Sequence, residues 1–508
     1  MRRTSLAFVA ATAVAGLAFA PVVGGGWTGP DAERLADPLS YLDQANQNPG
    51  PVDLVRSVQN IPAGVLGTLE DAPIQVDNFA EEPVFTFDFD DELVGKRHPS
   101  IPQKGDNPHP DGGVVRGGAA GDHGTFMEFY TREWTDSLSG ETRTVDVAIQ
   151  GVNDIGALIW DVTDPTEPEL LSVLNCGYHQ SDVGMYELED GRWIAVLGAD
   201  DVGAHEDCLS NPISPYFKPG AVFGGNGQEV MAFFDVTDMR NPKALSAVRT
   251  QITATGGSHT IEMQGTEPIA YIVTALDPRL EIVDFSTPER PEIVGALETL
   301  GNPHAFRVSD DGTRGYSAGS FMQTLSIHDL TDPYNPVPIG VSVAPRNLYT
   351  HESLPSHAKD FVLVMDEGGF DPGYDMGICP GTGFWLYDLT VETSPVPLSY
   401  TVADIDGQLG EDGTGSGPTA CAVHYGNISH DDQTLTVAYY GAGVRVFDLS
   451  DPLDPNEIGA LMFDDSDVWT AKAYKDPKHV FVSDLTRGFE VYEYTGDREL
   501  NDRAADGA

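Results

Sequence analysis

Apolar strands that end in aspartate recur along this chain at one spacing. In Val444 to Pro455 the run Val-Arg-Val-Phe closes on Asp448, a Ser/Asp/Pro turn follows, and Pro455 stands seven residues after the Asp. The same phrase runs from Asp161 to Pro168, Asp235 to Pro242, Asp284 to Pro291, Asp329 to Pro336 and Asp388 to Pro395. After each second proline another apolar strand begins, as at Ile293-Val-Gly-Ala-Leu297. The shortest units are the clearest, with apolar segments at 305–308, 313–317, 324–328 and 337–341. Four short antiparallel strands in roughly 45 residues make one propeller blade. The motif aspartates are expected to cap the turns that follow them, accepting a hydrogen bond two residues on.

Opening strands fall near residues 123, 179, 259, 304, 351, 424 and 469. The pattern therefore predicts an all-β chain, a seven-bladed β-propeller of four-stranded antiparallel blades. The seventh unit, Trp469 to Tyr494, has three strands, and a ring needs its last blade completed. An N-terminal strand such as Val84 to Phe89 is expected to supply that edge. The expected domain plan is a signal peptide over 1–26, an N-terminal segment over 27–121, the propeller over 122–495 and a short polar tail over 496–508. Within the N-terminal segment, Leu54 to Val58 also reads as a strand, and Gly105 to Gly121 as a loop.

Leu280-Glu-Ile-Val-Asp-Phe-Ser-Thr-Pro288 and its sister phrases resemble the LVIVD repeat of exported bacterial and archaeal propeller proteins. The resemblance covers roughly residues 122–495 and implies a propeller fold. It does not imply an activity, because one fold serves many.

The chain of 508 residues is 40% hydrophobic and 21% charged, an ordinary globular balance, and its 55 glycines and 36 prolines suit many tight turns. Its charge is unusual: 28 basic against 79 acidic residues leave −51. Such a chain repels phosphate backbones and anionic membranes, so nucleic acid is excluded as a partner. The acidity is spread along the chain, as a solvated surface or a saline habitat requires. Arg2-Arg3 ahead of the apolar run Leu6 to Ala20 reads as an export signal, at about 15 residues short for a membrane span. A secreted protein (extracellular, at the cell surface or periplasmic), monomeric and without a membrane span, is expected.

A second periodicity carries chemistry. His123, His179, His259, His304, His351 and His424 each open the first strand of a unit, six of the 13 histidines. Trp469 holds that position in the seventh. First strands line a propeller's central channel, and loops between second and third strands return to the same end. The histidines should then share a channel mouth with Asp200-Asp201, Asp277, Asp366-Glu367 and Asp484. Clustered imidazoles cannot all be charged. Neutral ones present lone pairs, and three or four converging on a point bind copper, iron or zinc. The competing reading is one ancestral strand-opening histidine copied six times, each bonding a neighbouring loop. On the metal reading Glu367 or Asp366 would move protons beside the ion.

The four cysteines, in a chain expected to be exported, predict disulfides. Topology pairs an inserted loop with a His-bearing strand start in both cases, Cys176 with Cys208 and Cys379 with Cys421. Zinc binding by the cysteines is the alternative, although no close pair exists. His205 with Glu206 and Asp207 reads as a solvated loop or an addition to the site. Asp404, Asp406, Glu411 and Asp412 hint at calcium without the spacing of a known calcium loop. His328 and His357 read as ordinary core or surface residues. No Gly-x-Ser-x-Gly turn and no phosphate loop occurs.

Two functions follow. The first is a metal-dependent oxidoreductase or hydrolase acting on a small molecule, with its metal on the propeller axis. That design resembles the four-histidine iron centre of carotenoid oxygenases, and the Asp-Pro phrases resemble those of copper-dependent methanethiol oxidases. The second is a non-catalytic scaffold that binds a cell-surface or matrix partner through its loops.

Overall fold

The computed structural model describes residues 75–87 and 124–501, apart from 154–155, 176–181, 199–229, 251–257, 275–276, 321, 346, 348, 369–381, 406–420 and 464–465. Among the described residues every regular element is a β-strand, and the strands form seven antiparallel sheets. Blades one to seven occupy residues 124–175, 183–249, 260–298, 303–343, 350–402, 426–462 and 468–493. Each is a meander whose first strand is innermost. These first strands touch their neighbours from blade six through seven, one, two, three and four to five.

The recurrent phrase has a local physical basis. All six motif aspartates accept the backbone N–H two residues on, at 2.7–3.0 Å. This is the Asx turn that the aspartate was expected to make. The second proline immediately precedes each fourth strand, where its missing N–H costs no ladder bond. The fourth strand of each of these six blades then carries a β-bulge at the same place, for example between Ile282 and Val283 of blade three opposite the extra residue Val294. The same register shift occurs in blades one, two, four, five and six. A bulge adds local twist, which a propeller blade needs between its inner and outer strands.

The ring is completed from the N-terminus, with one addition. Strand β2 (Phe85–Phe87) pairs with Gly488–Glu493 and becomes the outer strand of blade seven, within the expected stretch 84–89. Strand β1 (Gln75–Asp77) pairs with Asn456–Met462 and makes blade six five-stranded, which the repeat did not announce. Among the described residues seven apolar clusters lie between adjacent blades, one at each interface, and the one between blades one and two extends to Tyr425, Tyr440 and Trp469. Second strands such as Trp193–Leu197 and Ile269–Val273 are buried throughout because both of their faces meet another blade.

The turns between first and second strands hold a charged staple. His357 Nδ1 lies 2.6 Å from Asp310 of blade four, and its Nε2 lies 3.3 Å from the Ile428 carbonyl of blade six. Asp432 accepts the backbone N–H of both His357 and Ala358, and the His430 ring sits 5.2 Å away. Burial lowers the His357 pKa, but the Asp310 carboxylate outweighs it and holds the imidazole above its usual range. A raised imidazole pKa adds stability below about pH 6.5, and that stability is lost as pH rises through the folded-state value. Chemical unfolding across pH 5–9 should show this loss in the wild type. A His357→Asn variant should lack that component of the profile, and identical profiles would refute the staple.

Candidate metal centre at the channel mouth

Alternation along a strand would send His304 and Arg307 to opposite faces, yet both reach the axis. The reason is a second set of bulges, at the starts of the first strands. His304 is the extra residue between Pro303 and Ala305, His351 and Glu352 together face one partner residue, and Trp469 is the extra residue of blade seven. Each bulge turns a side chain inward that strict alternation would turn away.

His259, His304, His351 and His424 consequently meet. Successive ring centroids are 4.3, 4.1 and 4.2 Å apart, and His259 Nε2 lies 2.6 Å from His304 Nε2. Glu367, from the loop after the second strand of blade five, completes the group. Its Oε2 is 3.6 Å from His351 Nε2 and 3.9 Å from His304 Nε2, and its Oε1 is 3.7 Å from His424 Nε2. The Tyr440 hydroxyl donates to Oε1 at 2.6 Å, and His424 Nδ1 donates to the Trp469 carbonyl at 2.7 Å. The second bond leaves the His424 Nε2 lone pair facing Glu367.

Burial pushes His304 and His351 well below the usual imidazole range, and the neighbouring histidines add to it. Burial lowers His424 to about 3. The close approaches to Glu367 are therefore not ion pairs: the imidazoles are neutral. The Glu367 carboxyl is pushed up to about 7 by burial, against the Tyr440 hydrogen bond that favours its ionised form. Both nitrogens of His351 and Oε2 of Glu367 are buried without a hydrogen-bond partner. Unpaired buried acceptors are costly, and a cation is one species that satisfies several at once.

His304, His351 and Glu367 offer ligand atoms that all lie within 4.8 Å of one another, a group able to hold a metal ion. Bonds of about 2.0–2.2 Å to one ion hold any two ligand atoms within roughly 4.4 Å. The observed 3.6 and 3.9 Å between Glu367 and the two histidines fall inside that limit.

The other sequence candidates divide. His123, His179, His205, Cys176, Cys208, Cys379, Asp200, Asp201, Asp406, Glu411 and Asp412 lie outside the described residues. Asp366 accepts the backbone N–H of Tyr349 and Gly368. Asp484 in blade seven binds Asp467 and Thr486 in the same way, which marks a shared loop-fastening role. Asp277 pairs with Arg279, and Asp404 offers its N–H to Glu457. Among the described residues of this acidic set, Glu367 is the one placed against the imidazoles. His328 is buried in the third strand of blade four.

Sequence reasoning missed Tyr440, Tyr425 and a charged layer below the histidines. Tyr425 packs on His351 and His424, at 4.8 and 4.5 Å between centroids. Arg307 joins Glu262 and Glu352 at 2.8 and 2.5 Å, and Lys472 pairs with Glu128. The repeat did hold a signal for Tyr440, which occupies in blade six the loop that carries Glu367 in blade five.

The arrangement defines a seven-bladed propeller with a histidine and carboxylate group at its channel mouth. No protein-family model matches the chain, and no curated protein matches it significantly in sequence. Among solved structures it is similar to Chaetomium thermophilum Raptor, at 10% identity and TM-score 0.48, over 75% of this chain and 29% of that one. It is similar to a functionally unknown protein from Desulfotomaculum acetoxidans DSM 771, at 11% identity and TM-score 0.39, over 62% and 85%. A third likeness is to the C-terminal WD40 domain of Sif2, at 15% identity and TM-score 0.41, over 73% and 81%. Among the described residues no helix is long and apolar enough to cross a membrane.

Proposed function

We propose that this protein is an exported metal-binding propeller whose centre is built from His304, His351 and Glu367, with His424 and His259 beside them. The observation that carries the reading is the set of buried, neutral imidazoles and an unpaired carboxylate oxygen whose ligand atoms all lie within 4.8 Å of one another. The charges around it point the same way. Asp182, Glu352 and Glu367 are buried here, and Glu128 and Glu262 are partly so. Arg307 and Lys472 are the cations that face them among the described residues. A bound dication would offset the excess.

Imidazole and carboxylate suit copper, iron or zinc, and such an ion would activate oxygen or water for a small-molecule oxidation or hydrolysis. The resemblance to exported LVIVD-repeat proteins and the apolar leader support export. So does Cys421, which is buried and disulfide-bonded. We propose the pairings 176–208 and 379–421 for the four cysteines.

The test is metal content by mass spectrometry of the full-length protein beside a His304→Ala/His351→Ala variant. About one equivalent of a single transition metal is expected, falling to about a tenth or less in the variant, with circular dichroism unchanged. A wild type that is metal-free and cannot be loaded would sink the proposal and leave the surface-binding scaffold as the better reading.

A further inference from the structure

Tyr440 is held in an unusual way for a residue outside the histidine set. Its φ is 46°, in the left-handed region that bulky residues rarely enter. The loop that imposes this is tight. Gly443 donates to the Tyr440 carbonyl at 2.8 Å and Ala442 to that of Tyr439 at 2.9 Å. Gly443 itself has φ 75°, and a Cβ there would stand 2.1 Å from the Leu461 carbonyl oxygen. The Tyr440 backbone is also pinned to blade seven by two bonds with Val468, at 3.2 and 3.0 Å. From this anchor the buried phenol crosses to blade five and donates to Glu367. Strained backbone that the surrounding structure over-determines is concentrated at functional sites.

The bond divides the two oxygens of one carboxylate. Oε1 is engaged by Tyr440, while Oε2 faces His351 and His304. We infer that Tyr440 is a positioning residue that restricts Glu367 to one coordinating oxygen, so that the metal keeps open positions for an exogenous ligand. The inference rests on the metal reading above. Two histidines and one single-oxygen carboxylate supply three donors, the donor set of open non-haem iron centres that bind dioxygen. A six-coordinate ion held by these three donors has three positions free. The ligand class is accordingly a molecule the size of water, dioxygen or a small anion. Without the phenol, Oε1 is free to rotate onto the metal and occupy a position that ligand requires.

Cobalt(II) loaded into the full-length protein tests this, because its visible spectrum reports coordination number. The probe for an open position is azide. The wild type should take up one cobalt and shift its spectrum on azide titration. Tyr440→Phe should keep the cobalt, show an altered spectrum before azide is added, and bind azide about 10–100-fold more weakly. Tyr440→Leu, which removes the phenol and leaves every ligand in place, should reproduce that change and serves if Tyr440→Phe does not fold. Cobalt stoichiometry, spectrum and azide affinity unchanged in the folded variants would overturn the inference alone. A wild type that takes up no cobalt would overturn it together with the metal reading.

Discussion

Replacing Arg307 with methionine is expected to destabilise the protein by about 3–5 kcal/mol, the cost of breaking a buried ion pair from one side. The guanidinium donates to Glu352 of blade five at 2.5 Å and to Glu262 of blade three at 2.8 Å. It also lies over the rings of Phe126 and Tyr425, at 4.8 and 5.2 Å. Methionine keeps most of the volume and removes the charge, so two carboxylates remain in the channel without their partner. Burial already pushes the Glu262 carboxyl up to about 7 and raises Glu352, despite Arg307. Folded chains whose carboxyls have raised pKa values hold protons that the unfolded chain releases, so stability falls as pH rises from about 4.3 towards 7. The variant's deficit should therefore be smaller at pH 5 than at pH 8. Adding Glu262→Gln and Glu352→Gln should restore most of the loss. Guanidinium unfolding measures all three proteins, and a single-variant deficit below about 1 kcal/mol would show that Arg307 holds nothing together.

A chain beginning at residue 88 should lose roughly 3–6 kcal/mol, on the full burial of Phe79 at about 1.5–3 kcal/mol and the partial burial of Phe85 and Phe87 at about half that each, and should aggregate. Phe85 and Phe87 meet Trp160 edge-on, at 6.2 and 4.9 Å between centroids, so β2 joins blade seven to blade one. Phe79 packs against Tyr494 at 5.4 Å. Truncation exposes these aromatic partners and frees the edges of Gly488–Glu493 and Asn456–Met462, which β2 and β1 cover. Bare strand edges with apolar neighbours recruit other chains. Thermal unfolding and light scattering measure the effect, and a peptide spanning residues 75–87 should restore part of the stability. A truncated protein as stable and monodisperse as the full chain would exclude the clasp.

Blade number and turn chemistry were legible in the chain because they rest on local interactions. An aspartate that accepts an amide two residues on, and a proline that begins an outer strand, act within seven residues and repeat with the chain. The strand-opening histidines were legible for the same reason. Whether they faced the axis was not, since the side of a strand on which a residue falls depends on register. In blades four and five that register is reset by bulges at His304 and His351, formed against their second strands. The partners were further still from view. Glu367 and Tyr440 are 73 positions apart and on different blades, and Arg307 reaches Glu262 and Glu352 across two blade boundaries. A repeat determines its own turns and strands by short-range hydrogen bonds and apolar alternation. The contacts that join one repeat to the next, where the candidate site lies, were decided by closure of the ring.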